Sequence, residues 1–246
     1  MSIKSDSPSP DATAPNKDPA GNMEQSPFGE PTDAHKNASR GEFVYQQLRT
    51  AISEGRFRQG ARIREEEVAR FLGVSRTPVR EAIRRLQTRG LLTIAPGSGL
   101  VIVELSKQQT LELYAFRELL EGAAARLAAQ HVSPSEIETL RHLQEEFKQN
   151  FDDPARLAHI NRQYHNTIND AAHNHYLLDS LNNLTDALAL LRNTTFMVPG
   201  RPQAALAEHQ AIIDAMAARD PDAAESAARR HIAEAQRARI QMLLAT

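Results

Sequence analysis

The chain of 246 residues is long enough for two modest domains, and it contains no cysteine, which excludes disulfides, thiolate metal sites and cysteine nucleophiles. No apolar run is long enough to span a bilayer, and the polar, proline-rich N-terminus lacks the basic-then-apolar order of a secretion signal, so a soluble, cytoplasmic protein with no membrane partner is expected. The net charge of -2 conceals a segregation: residues 41–105 carry 11 basic side chains, all Arg, against 7 acidic ones, whereas residues 1–40 carry 4 against 6 and residues 106–246 carry 14 against 18. Arginine is suited to forked contacts with phosphates and guanine edges, so the middle block is where a nucleic-acid partner is sought.

Residues 1–40 hold 6 of the 13 prolines and no apolar periodicity, and read as a disordered tail. From Glu42, Val44, Leu48, Ala51 and Ile52 mark one face of a helix ending near Gly55. A second helix is expected over Arg64–Leu72, closed by Gly73. A third, N-capped by Ser75 with Pro78 in its first turn, runs to about Arg89. Leu91–Ile94 and Leu100–Val103 flank the turn residues Pro96-Gly97-Ser98-Gly99 and read as a β-hairpin. Beyond residue 105, Ala/Leu/Glu/Arg-rich amphipathic stretches, with prolines near their boundaries, predict an all-helical bundle. The fold class is therefore mainly α: a winged helix-turn-helix over 41–105 and a helical domain over 106–246.

The third helix has two faces. Val79, Ala82, Ile83 and Leu86 form an apolar stripe, leaving Ser75, Arg76, Thr77, Arg80 and Arg84 elsewhere on the helix. Such a helix can enter the major groove, where Arg76 and Arg80 offer paired donors to guanine and Thr77 can meet a base edge or a thymine methyl. Arg85 and Arg89, at other angles, are left between phosphate contacts and plain solvation.

The run Leu72-Gly73-Val74-Ser75-Arg76-Thr77-Pro78-Val79-Arg80-Glu81-Ala82, followed by Gly90-Leu91 and a glycine-containing wing, closely resembles GntR-family regulators. The resemblance implies that Arg76, Thr77 and Arg80 enter the major groove of double-stranded operator DNA and that Gly99 approaches the minor groove. Glu66 stands where some members place a DNA-contacting Arg, and Arg64 is a substitute for it. Leu113-Tyr114-Ala115-Phe116-Arg117-Glu118-Leu119-Leu120-Glu121 resembles the opening of the effector-binding and dimerisation (FCD) domain of the FadR-type branch. Asn161-Arg162-Gln163-Tyr164-His165, Glu208-His209 and Arg230-His231-Ile232 follow in that family's order.

His165, His209 and His231 lie on three different predicted helices, with Asn161 one turn before the first of them. Spacing alone favours hydrogen-bonded bundle histidines. The resemblance implies a divalent metal site at these four positions, with Asn161 where relatives carry Asp, and leaves Zn²⁺, Ni²⁺ or Mn²⁺ open. It also implies a small carboxylate effector, for which Arg117 is the matching residue. Arg192, late in an apolar helix, is a second candidate. No organic cofactor is expected. The leading reading is a homodimeric repressor released from a short inverted repeat by that effector. The alternatives are a metalloenzyme on a helical bundle, opposed by the lack of a His-Glu-x-x-His helix, and a DNA-binding protein with a purely structural metal.

Overall fold

The structure, a computed structural model, describes residues 26–28, 39–57, 60–191 and 193–245. The expected tail therefore falls almost wholly outside the described residues, as does Arg192. Within it only residues 26–28 and the pair Ser39 and Arg40, which begin the first helix, are described. Phe28 packs at the winged-helix core, its ring 6.1 Å from that of Phe57 and 6.3 Å from that of Phe71, and Arg56 donates to the Pro27 carbonyl.

Helix α1 spans Arg40–Ser53 and starts where the Ser39 hydroxyl accepts from the Glu42 amide. Its Val44, Leu48, Ala51 and Ile52 face inward as their spacing requires. Helix α2, Glu65–Leu72, is one residue shorter than expected because Arg64 is extended and occupies the N-cap. Gly73 ends it with φ of 64°, a left-handed backbone that a side chain would strain, and so sets the tight turn into α3. Helix α3, Arg76–Thr88, buries Val79, Ala82, Ile83 and Leu86 against α1. Ser75 takes the N-cap position without a side-chain cap bond, so the expected side-chain cap is not made. Strands β1, Leu92–Ala95, and β2, Gly99–Ile102, pair antiparallel from Leu92 opposite Ile102 to Ala95 opposite Gly99. A single bridge from Arg62 to Val101 ties the loop before α2 to the wing.

The second unit is helical throughout its described residues. Helices α4 (Lys107–His131), α5 (Pro134–Lys148), α6 (Pro154–Ala171), α7 (His175–Leu188), α8 (Arg201–Ala217) and α9 (Pro221–Leu244) are joined by short turns except between α7 and α8, where the longer segment 189–200 carries a 3₁₀ turn at Thr195–Met197. Serine capping boxes at Ser106 and Ser133 and prolines in the first turns of α5, α6, α8 and α9 satisfy or remove the amides that each helix start leaves unbonded. The two long helices, α4 and α9, meet through small side chains. Ala125 and Ala128 on one and Ala224, Ala227 and Ala228 on the other are buried in one cluster and let the backbones approach closely. Phe147, Tyr164, Ile212, Ile213 and Met216 fill the space that α5, α6 and α8 enclose beside them.

The two units touch through α7. Leu190, just beyond its end, is buried in the core cluster of the winged helix, and Asp186, whose side chain is 3% exposed, lies 2.6 Å from Arg49 Nε on α1. Arg89, after α3, reaches the same carboxylate at 3.6 Å and also donates to Asn183.

Candidate functional site

The exposed face of α3 carries Arg76, Thr77, Arg80 and Arg84, with Ser75 exposed at its start. Because the Ser75 hydroxyl caps nothing, the first amides of α3 are not engaged by it and suit an anion. Arg76 and Arg80 are 57% and 58% exposed, yet each meets an acid at the start of α2: Arg76 lies 3.2 Å from Glu66 and Arg80 lies 2.8 Å from Glu65. Arg64 pairs with Glu67 at 3.0 Å. Three consecutive glutamates thus accompany three of the four arginines expected to contact DNA, Arg84 being the fourth, and Glu66 is the partner of Arg76. Gly99, at φ of 75°, is half-buried beside the guanidinium of Arg62. Arg85 and Arg89 are both engaged within the protein. Arg85 lies over the Tyr45 ring and pairs with Glu42 at 2.6 Å, and Arg89 joins the α7 contact.

In the bundle, α6 supplies Asn161 and His165, α8 supplies His209 and α9 supplies His231. One ligand atom from each histidine lies within 4.8 Å of the others. Each imidazole is steered by a partner on its Nδ1. Glu121 Oε2 is 2.7 Å from His165, Glu208 Oε2 is 2.7 Å from His231, and Gln144 Oε1 is 3.2 Å from His209. An acceptor beside Nδ1 favours the proton there and leaves the Nε2 lone pair available to a ligand. Tyr164 stacks on His209 with ring centroids 4.2 Å apart and donates its hydroxyl to the His209 carbonyl, while Phe147 meets the same ring edge-on.

Burial, reinforced by the neighbouring histidines and Arg201, pushes the His209 pKa well below its ordinary value. Burial with His165 and the nearby arginines does the same to His231, so both rings are held neutral. Burial also opposes the charge on Glu121, but Arg117 and His165 outweigh it and hold that carboxyl well below the usual carboxylate range.

The fit to a metal can be tested on the atoms left over. Asn161 Oδ1, His165 Nε2 and His209 Nε2 are buried side-chain atoms without a hydrogen-bond partner among the described residues. Each such orphan costs about 1–3 kcal/mol. An oxygen and imidazole nitrogens of this kind are donors for Zn²⁺, Ni²⁺ or Mn²⁺, so the residues present can hold such an ion.

Arg117 is nearly buried on α4, its Nε 2.5 Å from Glu121 Oε1 and its guanidinium 5.7 Å from the centre of the Tyr114 ring. It therefore reaches the histidines through Glu121. Sequence reasoning missed Glu121, Glu208, Gln144 and Arg201 as members of this site. Glu121 was legible as the i+4 partner of Arg117, and Glu208 as the neighbour of His209. Nothing in the sequence flagged Gln144. Arg201, two turns before Glu208 on α8, forks onto it at 3.0 and 2.7 Å.

A winged-helix reading head joined to a helical bundle with a buried polar centre defines a DNA-binding transcriptional regulator with a sensory domain. The sequence model of the bacterial regulatory proteins of the gntR family matches residues 40–102, and that of the FCD domain matches residues 112–234. The chain belongs to the GntR family of transcriptional regulators, in the branch with a C-terminal FCD domain. It is 30% identical over 184 residues to the uncharacterized HTH-type regulator YdhC of Bacillus subtilis, covering 74% of this chain and 82% of that one. It is 34% identical over 185 residues to the probable D-xylose utilization operon transcriptional repressor of Paenarthrobacter nicotinovorans, covering 74% and 80%. The solved structure of Escherichia coli McbR/YncC shares the fold at a TM-score of 0.69 and 24% identity, covering 84% of this chain and 98% of that one. The family consists of regulators, which sets the metalloenzyme reading aside. No described helix is long and apolar enough to cross a membrane.

Proposed function

We propose that the protein is a cytoplasmic, homodimeric repressor that binds a short inverted repeat in double-stranded DNA and releases it when a small carboxylate enters the FCD domain beside a divalent metal ion. Arg76, Thr77 and Arg80 read bases in the major groove. Ser75, Arg64 and Arg84 bind the backbone around them, and Gly99 lets the wing approach the minor groove. Asn161, His165, His209 and His231 hold the ion, which supplies a positive centre for a carboxylate oxygen. Arg117, with Arg192 as a second candidate, complements the carboxylate charge.

The observation that carries this reading is the pairing, in one chain, of an exposed Arg/Thr helix face with a three-histidine cluster in which the Nε2 atoms of His165 and His209 are buried without a hydrogen-bond partner among the described residues. The α7 contact through Asp186 and Leu190 gives the bundle a physical hold on the head, as coupling requires: a ligand shifts DNA affinity only by preferring one arrangement of the two. Repression is supported by the relative named a repressor. The test is selection of bound fragments from random DNA, with and without a library of small carboxylates, on protein of mass determined by light scattering. Recovery of an inverted repeat whose binding a carboxylate weakens is expected. Retention of the same DNA across the library, with carboxylates giving no melting shift, would leave a DNA-binding protein with a structural metal.

A further inference from the structure

The donor set assigned to the ion contains no carboxylate: it consists of three imidazoles and the amide oxygen of Asn161, a buried atom with no hydrogen-bond partner among the described residues. A divalent ion placed there would meet no negative charge in direct contact. The nearest carboxylates stand one layer out, and both touch the imidazoles instead. Glu121 Oε2 is 2.7 Å from His165 Nδ1, and Glu208 Oε2 is 2.7 Å from His231 Nδ1.

Each of these carboxylates is itself held from behind by a buried arginine. Arg117 Nε lies 2.5 Å from Glu121 Oε1 and leaves Oε2, a buried oxygen without a hydrogen bond of its own, 2.7 Å from His165 Nδ1 as an ion-pair neighbour. Arg201, with a side chain only 5% exposed, grips both oxygens of Glu208 and fixes the plane of the carboxylate, with Oε2 on His231. The third imidazole has a neutral counterpart. Gln144 Oε1 faces His209 Nδ1 while its amide nitrogen donates to the Leu206 carbonyl, which settles which end of the amide meets the ring.

We propose that Glu121 and Glu208 supply, through His165 and His231, the negative charge that the neutral inner donors do not, and that Arg201 is a positioning residue that aims Glu208 at His231. This rests on the metal-binding reading above. A carboxylate accepting from Nδ1–H makes the ring a stronger donor at Nε2, and partners of this kind are worth about 10- to 100-fold in metal affinity. The arginines serve orientation, because a carboxylate with a free rotor would spend part of its time turned from the ring. The same layout gives Arg117 a part in the site through Glu121.

The test is Zn²⁺ affinity of the full chain, measured by competition with a chromophoric chelator, together with the melting temperature of the metal-free protein. Glu208→Gln and Glu121→Gln keep the side-chain size and each should weaken Zn²⁺ binding by roughly 10- to 100-fold. Arg201→Lys keeps the cation but loses the fork, and should weaken it by a smaller factor. Asn161→Asp places a charge in the inner set. It should tighten binding in the parent and recover most of the loss in Glu208→Gln. A metal-free protein that melts lower while both Gln variants keep the parent Zn²⁺ affinity would make the network purely structural and overturn the proposal. Failure of Asn161→Asp to recover affinity in the Glu208→Gln background would overturn the charge argument. A parent protein with no Zn²⁺ affinity would sink the metal site itself, an outcome distinct from the other two.

Discussion

Replacing Asp186 by Asn probes the contact that joins the two units. The carboxylate is nearly inaccessible, with Arg49 Nε at 2.6 Å and Arg89 at 3.6 Å, while the two arginines are 34% and 42% exposed. Breaking a fully buried pair costs about 3–5 kcal/mol and an exposed one about 0–1 kcal/mol. Here one side is buried and the other is half in solvent, and Asn keeps the shape and a carbonyl acceptor. A loss of about 2 kcal/mol follows. In a chain of this size each kcal/mol moves the melting temperature by about 2–4 °C, so a fall of about 4–8 °C is expected by calorimetry. A double-mutant cycle with Arg49→Met isolates the pair. A coupling energy below about 0.5 kcal/mol would show that the carboxylate does not join the units energetically and would refute the reasoning.

Arg76→Ala and Arg80→Ala should each cost about 1–3 kcal/mol of operator affinity and relax base preference at one position, read by binding to singly substituted operators. Phe147→Ala removes a ring that touches Phe196, Phe151 and His209, and should cost about 3–5 kcal/mol of stability in a denaturant titration. At Gly99 an added Cβ would find ordinary contact with Arg62 at 3.5 Å, so the penalty of Gly99→Ala is the left-handed backbone alone, about 1–3 kcal/mol in the same titration. Zn²⁺ at a hundred times its dissociation constant should stabilise the protein by about 2.7 kcal/mol, and removal by chelator should reverse the shift in melting temperature.

Much of the head was legible because its signals are local. The stripe Val79, Ala82, Ile83 and Leu86 specified α3, and Gly73 marked the end of α2. The hairpin came out one residue later in its first strand and one earlier in its second, since short strands are bounded by pairing and Gly99 pairs with Ala95. The side-chain cap expected of Ser75 failed, for a hydroxyl that prefers capping can still point elsewhere. In the bundle, the three histidines were legible as ligand types on separate helices, and the structure brings them together. Their partners were not, because Gln144 and Arg201 meet the histidines only through the packing of α5, α8 and α9, a relation with no spacing in the sequence. The engagement of Arg89 by α7 was hidden for the same reason: Asp186 and Asn183 lie almost a hundred residues away.

On the proposed reading of Arg76 and Arg80 as base-contacting residues, the glutamates at the head of α2 would make recognition an exchange reaction. An arginine that arrives at DNA with a carboxylate already in place, as Arg76 does with Glu66 and Arg80 with Glu65, displaces no phosphate counterion until it leaves its acid. Backbone contact alone offers little in return, since it sets one anion against another. A guanine edge offers two aligned acceptors to the fork and no full charge to repel the abandoned glutamate. Affinity for arbitrary sequence should therefore be low, and its salt dependence shallower than the number of arginines on α3 would suggest, because part of their counter-charge belongs to the protein itself. On that reading the acid triplet would let the head pass over most DNA quickly and stop where the bases make the exchange worthwhile.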